Sequence, residues 1–170
     1  MLGEIEMNEN EAKRFTRQLM ETPWAVYLTT IDANGFPQTR AVDNLRSKER
    51  FPKMAKWFKT QEDDFWILFT TNTSSAKVDQ IKKNSAVSAY YSEPRKFHGV
   101  MLGGLIEIDP DTDLKETTWH NCSSKEYDMT RYYPKGINDT DYTMLSLHPT
   151  HVKGWKGGQG KFSFTLRGKE

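Results

Sequence analysis

The sequence predicts a mainly β protein with peripheral helices, an antiparallel barrel rather than a parallel α/β sheet. Three observations carry this. About six or seven short runs rich in β-branched and aromatic residues are spread along the 170 residues. The helical stretches between them are few and short. The links mostly read as hairpins, whereas parallel strands need crossovers of roughly a dozen residues or more.

The elements follow in order. Asn8 with Glu11 three residues on resembles a capping box, and Ala12, Phe15 and Leu19 recur at helical spacing. Pro23 ends that segment, so a helix is predicted over 8–21. "WAVYLTTI" reads as a strand, "DANG" as a hairpin turn and "FPQTRAV" as the return strand. "NLRSKER" is a loop. "FPKMAKWFKTQ" opens a helix near Pro52. "DFWILFTT" is a strand, "SSAKVDQIKKN" a helix and "AVSAYYS" a strand. "GVMLGGLIEI" is a long strand whose paired glycines suggest a bulge, a bend or a close backbone approach. "DPDTDLKETTWHN" reads as a turn and helix, with Asp109, Asp111 and Asp113 as turn and first-turn acids. "YTMLSLHPTHVKGW" and "KFSFTLRG" read as two C-terminal strands within 142–167, joined by "KGGQG". With no repeat or linker in view, a single domain over 1–170 is expected.

Composition narrows the function classes. Lys+Arg total 24 and Asp+Glu 23, a balance that gives no global pull toward nucleic acid or an anionic membrane. No apolar run reaches membrane-spanning length. "MLGEIEMNENEAKRF" lacks the basic and apolar regions of a signal peptide. With Cys122 as the only cysteine, a reducing cytoplasm is the expected location. Aromatic residues reach 12%, high for so polar a chain, and ask for a core, a partner subunit or a flat ligand to cover them. His98, His120, His148 and His151 form no metal-ligand spacing, so no metal is expected.

One stretch suggests anion binding. In "FTTNTSSAKVDQIKKN" a strand ends in hydroxyl and amide residues, and a helix then starts with Lys77 in its first turn. A helix N-terminus presents free N–H groups and the positive end of its dipole. A lysine there opposes the dipole and makes better sense beside a phosphate. Capping by Ser74 or Ser75, with a solvated Lys77, explains the stretch equally well. Arg40 on the return strand tips the balance, because it would converge with Lys77 if its strand neighbours the one ending at Thr71.

The order "TTIDANGFPQTRAV … FWILFTTNTSSAKVDQIKKNSAVSAYY … GVMLGGLIEI … DYTMLSLHPTHVKGW" resembles the pyridoxamine 5'-phosphate oxidase-like superfamily, and most of all its general-stress-protein branch. The resemblance implies a split β-barrel that forms a homodimer with FMN at the subunit interface. It implies that Arg40, Ser75 and Lys77 meet the FMN phosphate, with Ala41 and Val42 beside the isoalloxazine. Thr70 and Thr71 would approach the ribityl chain and ring. His98 stands where the oxidase has a ring-contacting glutamine, and Trp155 would reach the partner's flavin. Ala76 replaces an arginine of the phosphate cluster. Leu45 replaces the substrate-phosphate lysine, and Lys161 and Ser163 replace the late arginine and histidine. The resemblance therefore implies a flavin-dependent oxidoreductase of unidentified electron donor and substrate, without pyridoxamine-phosphate oxidation. No side chain stands out as a catalytic acid or base. A non-enzymatic flavin or haem sensor, with His98, His148 or His151 on iron, is the alternative, and a deazaflavin enzyme is a further variant.

Overall fold

A computed structural model describes residues 7–167. The reading of the extreme N-terminus, residues 1–6, and Gly168 of the last predicted strand lie outside those residues. Helix α1 (Glu9–Met20) is followed by β1 (Ala25–Ile31), β2 (Pro37–Asp43), α2 (Pro52–Phe58), β3 (Ile67–Asn72) and α3 (Ala76–Lys83). Then come β4 (Ala86–Glu93), β5 (His98–Asp109), α4 (Thr112–Cys122), β6 (Tyr142–Leu147), β7 (His151–Lys156) and β8 (Lys161–Thr165). All pairings are antiparallel, in the order β2-β1-β4-β5-β6-β3, with β7 pairing β5 and β8. The path begins at β2 and ends at β3. These two edges approach each other without a hydrogen-bonded ladder, so the barrel is split along that seam.

Local chemistry explains the elements. Asn8 Oδ1 accepts from Glu11 N–H at 3.0 Å and starts α1. In the β1–β2 turn, Asp32 Oδ1 accepts from the N–H groups of Asn34 and Phe36, both at 2.9 Å. Gly35 takes the positive φ (84°) that closes the turn. Asp111 caps α4 by accepting from Asp113 and Leu114 N–H groups.

The long strand predicted as "YTMLSLHPTHVKGW" is two strands. Pro149 lacks an N–H, and the ladder breaks between Leu147 and His151. β6 pairs with the far end of β5, Ile106–Asp109, and β7 with its start, His98–Gly103. Gly103 and Gly104 sit at that change of partner. A Cβ on Gly103 would collide with the His151 ring, and one on Gly104 would lie 3.1 Å from the His148 carbonyl. The glycines thus mark the close approach that their pairing suggests.

Two cores result. Val26, Leu28, Phe69, Ala89, Val100, Leu102 and Val152 fill the barrel, and Phe15, Leu19 and Met20 of α1 close one end. Outside it, Leu45, Phe51, Met54, Phe58, Leu68, Tyr142 and Met144 form a second core under α2 and α4. Leu45 is 2% exposed, so it packs rather than meeting a ligand. Burying each such side chain is worth roughly 1.5–3 kcal/mol.

Candidate functional site

The antiparallel register sets Arg40 opposite Leu28 on the inner face of the hairpin. Its guanidinium donates through Nη1 to Thr30 Oγ1 (2.6 Å) and through Nη2 to Gln80 Oε1 (3.1 Å). Gln80 lies one turn beyond Lys77 on α3, so both side chains share a face. Lys77 Nζ donates to Thr71 Oγ1 at 2.8 Å. Thr71 Oγ1 in turn lies 3.4 Å from Ser75 Oγ. Arg40, Lys77, Thr71 and Ser75 therefore gather at the β2–β3 seam. They converge across the seam, not along a shared ladder.

The electrostatics there are unbalanced. Burial pulls the Lys77 ammonium below its ordinary pKa, and the positive Arg40 lowers it further. Burial also lowers Arg40. Among the described residues neither cation has a carboxylate within ion-pair distance. Two half-buried cations held by neutral oxygens leave a site with an unmet preference for an anion.

The serines divide their work. Asp141 Oδ1 accepts from Ser74 N–H at 2.7 Å, while Oδ2 accepts from Asn72 Nδ2 (2.7 Å) and Ser74 Oγ (3.2 Å). Ser75 is the N-cap residue of α3, yet its hydroxyl makes no capping bond. Ser74 is thus engaged by Asp141, and the Ser75 hydroxyl stays beside Thr71 and the free N–H groups of the helix start. The hydrogen bond from Asn72, then those from Ser74, hold the Asp141 carboxyl below the usual carboxylate range. A depressed folded pKa contributes stability that is present above the unfolded value of ~3.9 and lost as pH falls through the folded value. Asp141→Asn is therefore expected to melt below the parent at neutral pH, with the gap closing in stronger acid. Melts recorded from pH 7 down to about 2.5 check this. A gap that stays constant would show that the charge does not anchor the loop.

The other predicted residues lie elsewhere. Alternation along β3 turns Thr71 to the barrel and Thr70 to the second core, where Thr70 meets the Tyr133 hydroxyl. Ala41 is exposed, whereas Val42 packs on the barrel core. His98 and Trp155 line a different concavity of about 580 Å³ with Tyr27, Thr39 and Tyr90 on the outer face of the sheet. There Trp155 leans on Tyr90 at 5.9 Å between ring centres and is 42% exposed. Trp119 belongs to the second core, against Tyr133 and Tyr142. His148 Nδ1 lies 2.7 Å from Asp63, with its ring stacked on Trp66. The Cys122 thiol is buried and pushed up to about 12 by that burial, and so is inert. The described residues contain no His, Cys, Asp and Glu grouping fit for a metal, and none of their helices is long and apolar enough to cross a membrane.

Sequence reasoning missed Thr30 and Gln80. The hairpin turn places Thr30 diagonal to Arg40, and the three-residue step from Lys77 places Gln80 on its face. Both signals were present but carried no charge to draw notice.

Comparison with known proteins fits this architecture. The family model described as "Pyridoxamine 5'-phosphate oxidase like" matches residues 45–170, which include Thr71, Ser75 and Lys77 but not the hairpin that carries Arg40. No curated protein matches the sequence. A Clostridium acetobutylicum protein related to general stress protein 26 of Bacillus subtilis (pyridoxinephosphate oxidase family) is 27% identical. It superposes with a TM-score of 0.71 over 94% of this chain and 97% of its own. General stress protein 26 of Bacillus anthracis str. Sterne is 17% identical, with a TM-score of 0.61 over 85% of this chain and 93% of its own. A haem-binding protein of Mycobacterium smegmatis shares the fold at 14% identity and a TM-score of 0.63, over 91% of this chain and 57% of its own. With the split barrel and a family match over most of its length, the chain belongs to the pyridoxamine 5'-phosphate oxidase-like family.

Proposed function

We propose that the protein binds FMN and serves as a flavin-dependent oxidoreductase, acting as a homodimer. The observation that carries this is the pairing of Arg40 and Lys77, half-buried at the seam with no acidic partner among the described residues. The donor set suits a phosphate monoester: a guanidinium, an ammonium, the Ser75 hydroxyl that makes no capping bond, and a helix N-terminus. Gln80 holds the Arg40 fork, and Ala76 adds no further charge to the first turn of α3.

When bound, the flavin supplies the hydride and electron transfer. The protein's residues have simpler tasks. Arg40, Ser75 and Lys77 hold the phosphate. The open edge of β2 offers the backbone of Ala41 and Val42 to the ring. Thr71, on the barrel face of β3, meets the ribityl oxygens, while Thr70 on the other face is held by Tyr133. Tyr27, Phe97 and Trp155 are 43%, 75% and 42% exposed on one outer face, which supports a second subunit covering them. That arrangement would bring His98 and Trp155 to the partner's flavin.

Titration of the purified protein tests the reading. FMN should be taken up with quenched fluorescence, and riboflavin, which lacks the phosphate, should bind more weakly. Equal affinity for the two would sink the phosphate assignment, and no uptake of either would sink the flavin. Bleaching of the bound flavin by NADH or NADPH under anaerobic conditions then separates an enzyme from a binding module.

A further inference from the structure

A separate cavity of about 410 Å³ opens where β2 ends, between the start of α2 and the end of α4. Arg40, Thr71, Ser75 and Lys77 take no part in its lining. Its size falls within the ~300–1,000 Å³ typical of small-molecule sites. Trp24, Phe51 and Tyr127 supply flat walls, and Trp24 is 53% exposed.

Arg50 stands among these rings. Its Cζ lies 5.4 Å from the Trp24 centroid, 5.6 Å from Phe51 and 5.2 Å from Tyr127. Three ring faces and edges around one guanidinium hold it in place without using its N–H donors. Nη2 meets Asp43 Oδ1 at 2.9 Å. Tyr127 donates its phenol proton to Asp43 Oδ2 at 2.6 Å, which leaves that carboxylate engaged on both oxygens. Asp43 is the only side chain ion-paired with the Arg50 guanidinium among the described residues. Nη1 therefore has donors to spare in a fork shaped for a carboxylate. Around the rim, Glu49 and Glu126 oppose Lys53 and Arg50. With Asp43 beside Arg50, three carboxylates face these two cations, which disfavours a dianion such as a phosphate, so a single carboxylate is recognised by the directed Nη1 donors rather than by net charge.

We propose that this cavity binds a planar aromatic monocarboxylate, its ring against Trp24 and its carboxylate on the free donors of Arg50. The site stands apart from the flavin reading, and the test keeps the two distinguishable. Calorimetric titration with 2-naphthoate and with the uncharged 2-naphthalenemethanol should show the acid bound at least about tenfold more tightly. Arg50→Gln should remove that preference while preserving a contact to Asp43, and Trp24→Ala should weaken both ligands. Arg50→Lys keeps the charge but loses the fork, so it should narrow the preference and provides a second folded reporter. Arg40→Ala should leave naphthoate binding unchanged. Equal binding of acid and alcohol, absence of binding, insensitivity to Arg50, or loss of binding in Arg40→Ala would each overturn the proposal.

Discussion

Arg40→Ala is expected to weaken FMN binding by ~1–3 kcal/mol, about 5- to 150-fold, the usual worth of a charge-assisted hydrogen bond. Lys77→Ala should cost a similar amount. The double variant should lose more than the two losses combined, because removing Arg40 alone lets Lys77 hold its proton better and offsets part of that loss. The pH dependence separates the two cations. Arginine stays charged throughout the accessible range. Lys77 sits below its ordinary pKa because of burial and then Arg40. FMN affinity should therefore fall on the alkaline side before an ordinary lysine would titrate. That fall should be missing from Lys77→Ala and present, but shifted to higher pH, in Arg40→Ala. Bound phosphate would itself raise the Lys77 pKa, so the fall in affinity should run from the free-state pKa up to the higher bound-state pKa. A flat profile in the parent protein would mean that Lys77 points at something other than the anion.

The hairpin and the cation pair were legible in the sequence because their signals are local. "DANG" closes a turn through one aspartate and one glycine, and nothing distant needs to agree. Arg40 and Lys77 stood out because a guanidinium matches phosphate geometry and a lysine in a helix's first turn opposes the dipole. The break between β6 and β7 was harder. All six residues of β6 are buried, since the barrel covers one face and the second core the other. Without alternation, the run joins smoothly onto β7, and only Pro149 marks the boundary. The division between Thr70 and Thr71 was readable from the two-residue period of a strand. What lies on each face was not, because Tyr133 reaches Thr70 from over sixty residues away in the chain. Trp155 and His98 fall outside the cation cluster because they line a separate concavity on the outer face of the sheet.

Arg46→Ala should be among the most damaging substitutions outside the proposed sites. Arg46 is 4% exposed and lies in the loop that follows β2. Its Nη1 donates to the Trp66 carbonyl at 2.7 Å and its Nη2 to the Asp64 carbonyl at 2.9 Å. Its Cζ lies 4.5 Å from the Phe58 centroid. It thus ties the exit of β2 to the entry of β3, the two strands that border the seam. Burial holds its pKa below the ordinary guanidinium value, partly offset by charges including Glu21 and Asp63. Truncation strands two carbonyls at ~1–3 kcal/mol each, and avoiding the burial of a charge returns part of that. The expected net loss is about 2–4 kcal/mol, or roughly 5–15 °C in Tm for a chain of this size. Arg46→Lys reaches one carbonyl at most and should fall between. Chemical denaturation would read the effect, and a loss under about 1 kcal/mol would show that water replaces the guanidinium. A folded but loosened Arg46→Lys protein would also bind FMN less tightly, although Arg46 touches none of the phosphate donors. The same loop fixes where β2, and with it Arg40, stands relative to Thr71 across the open seam.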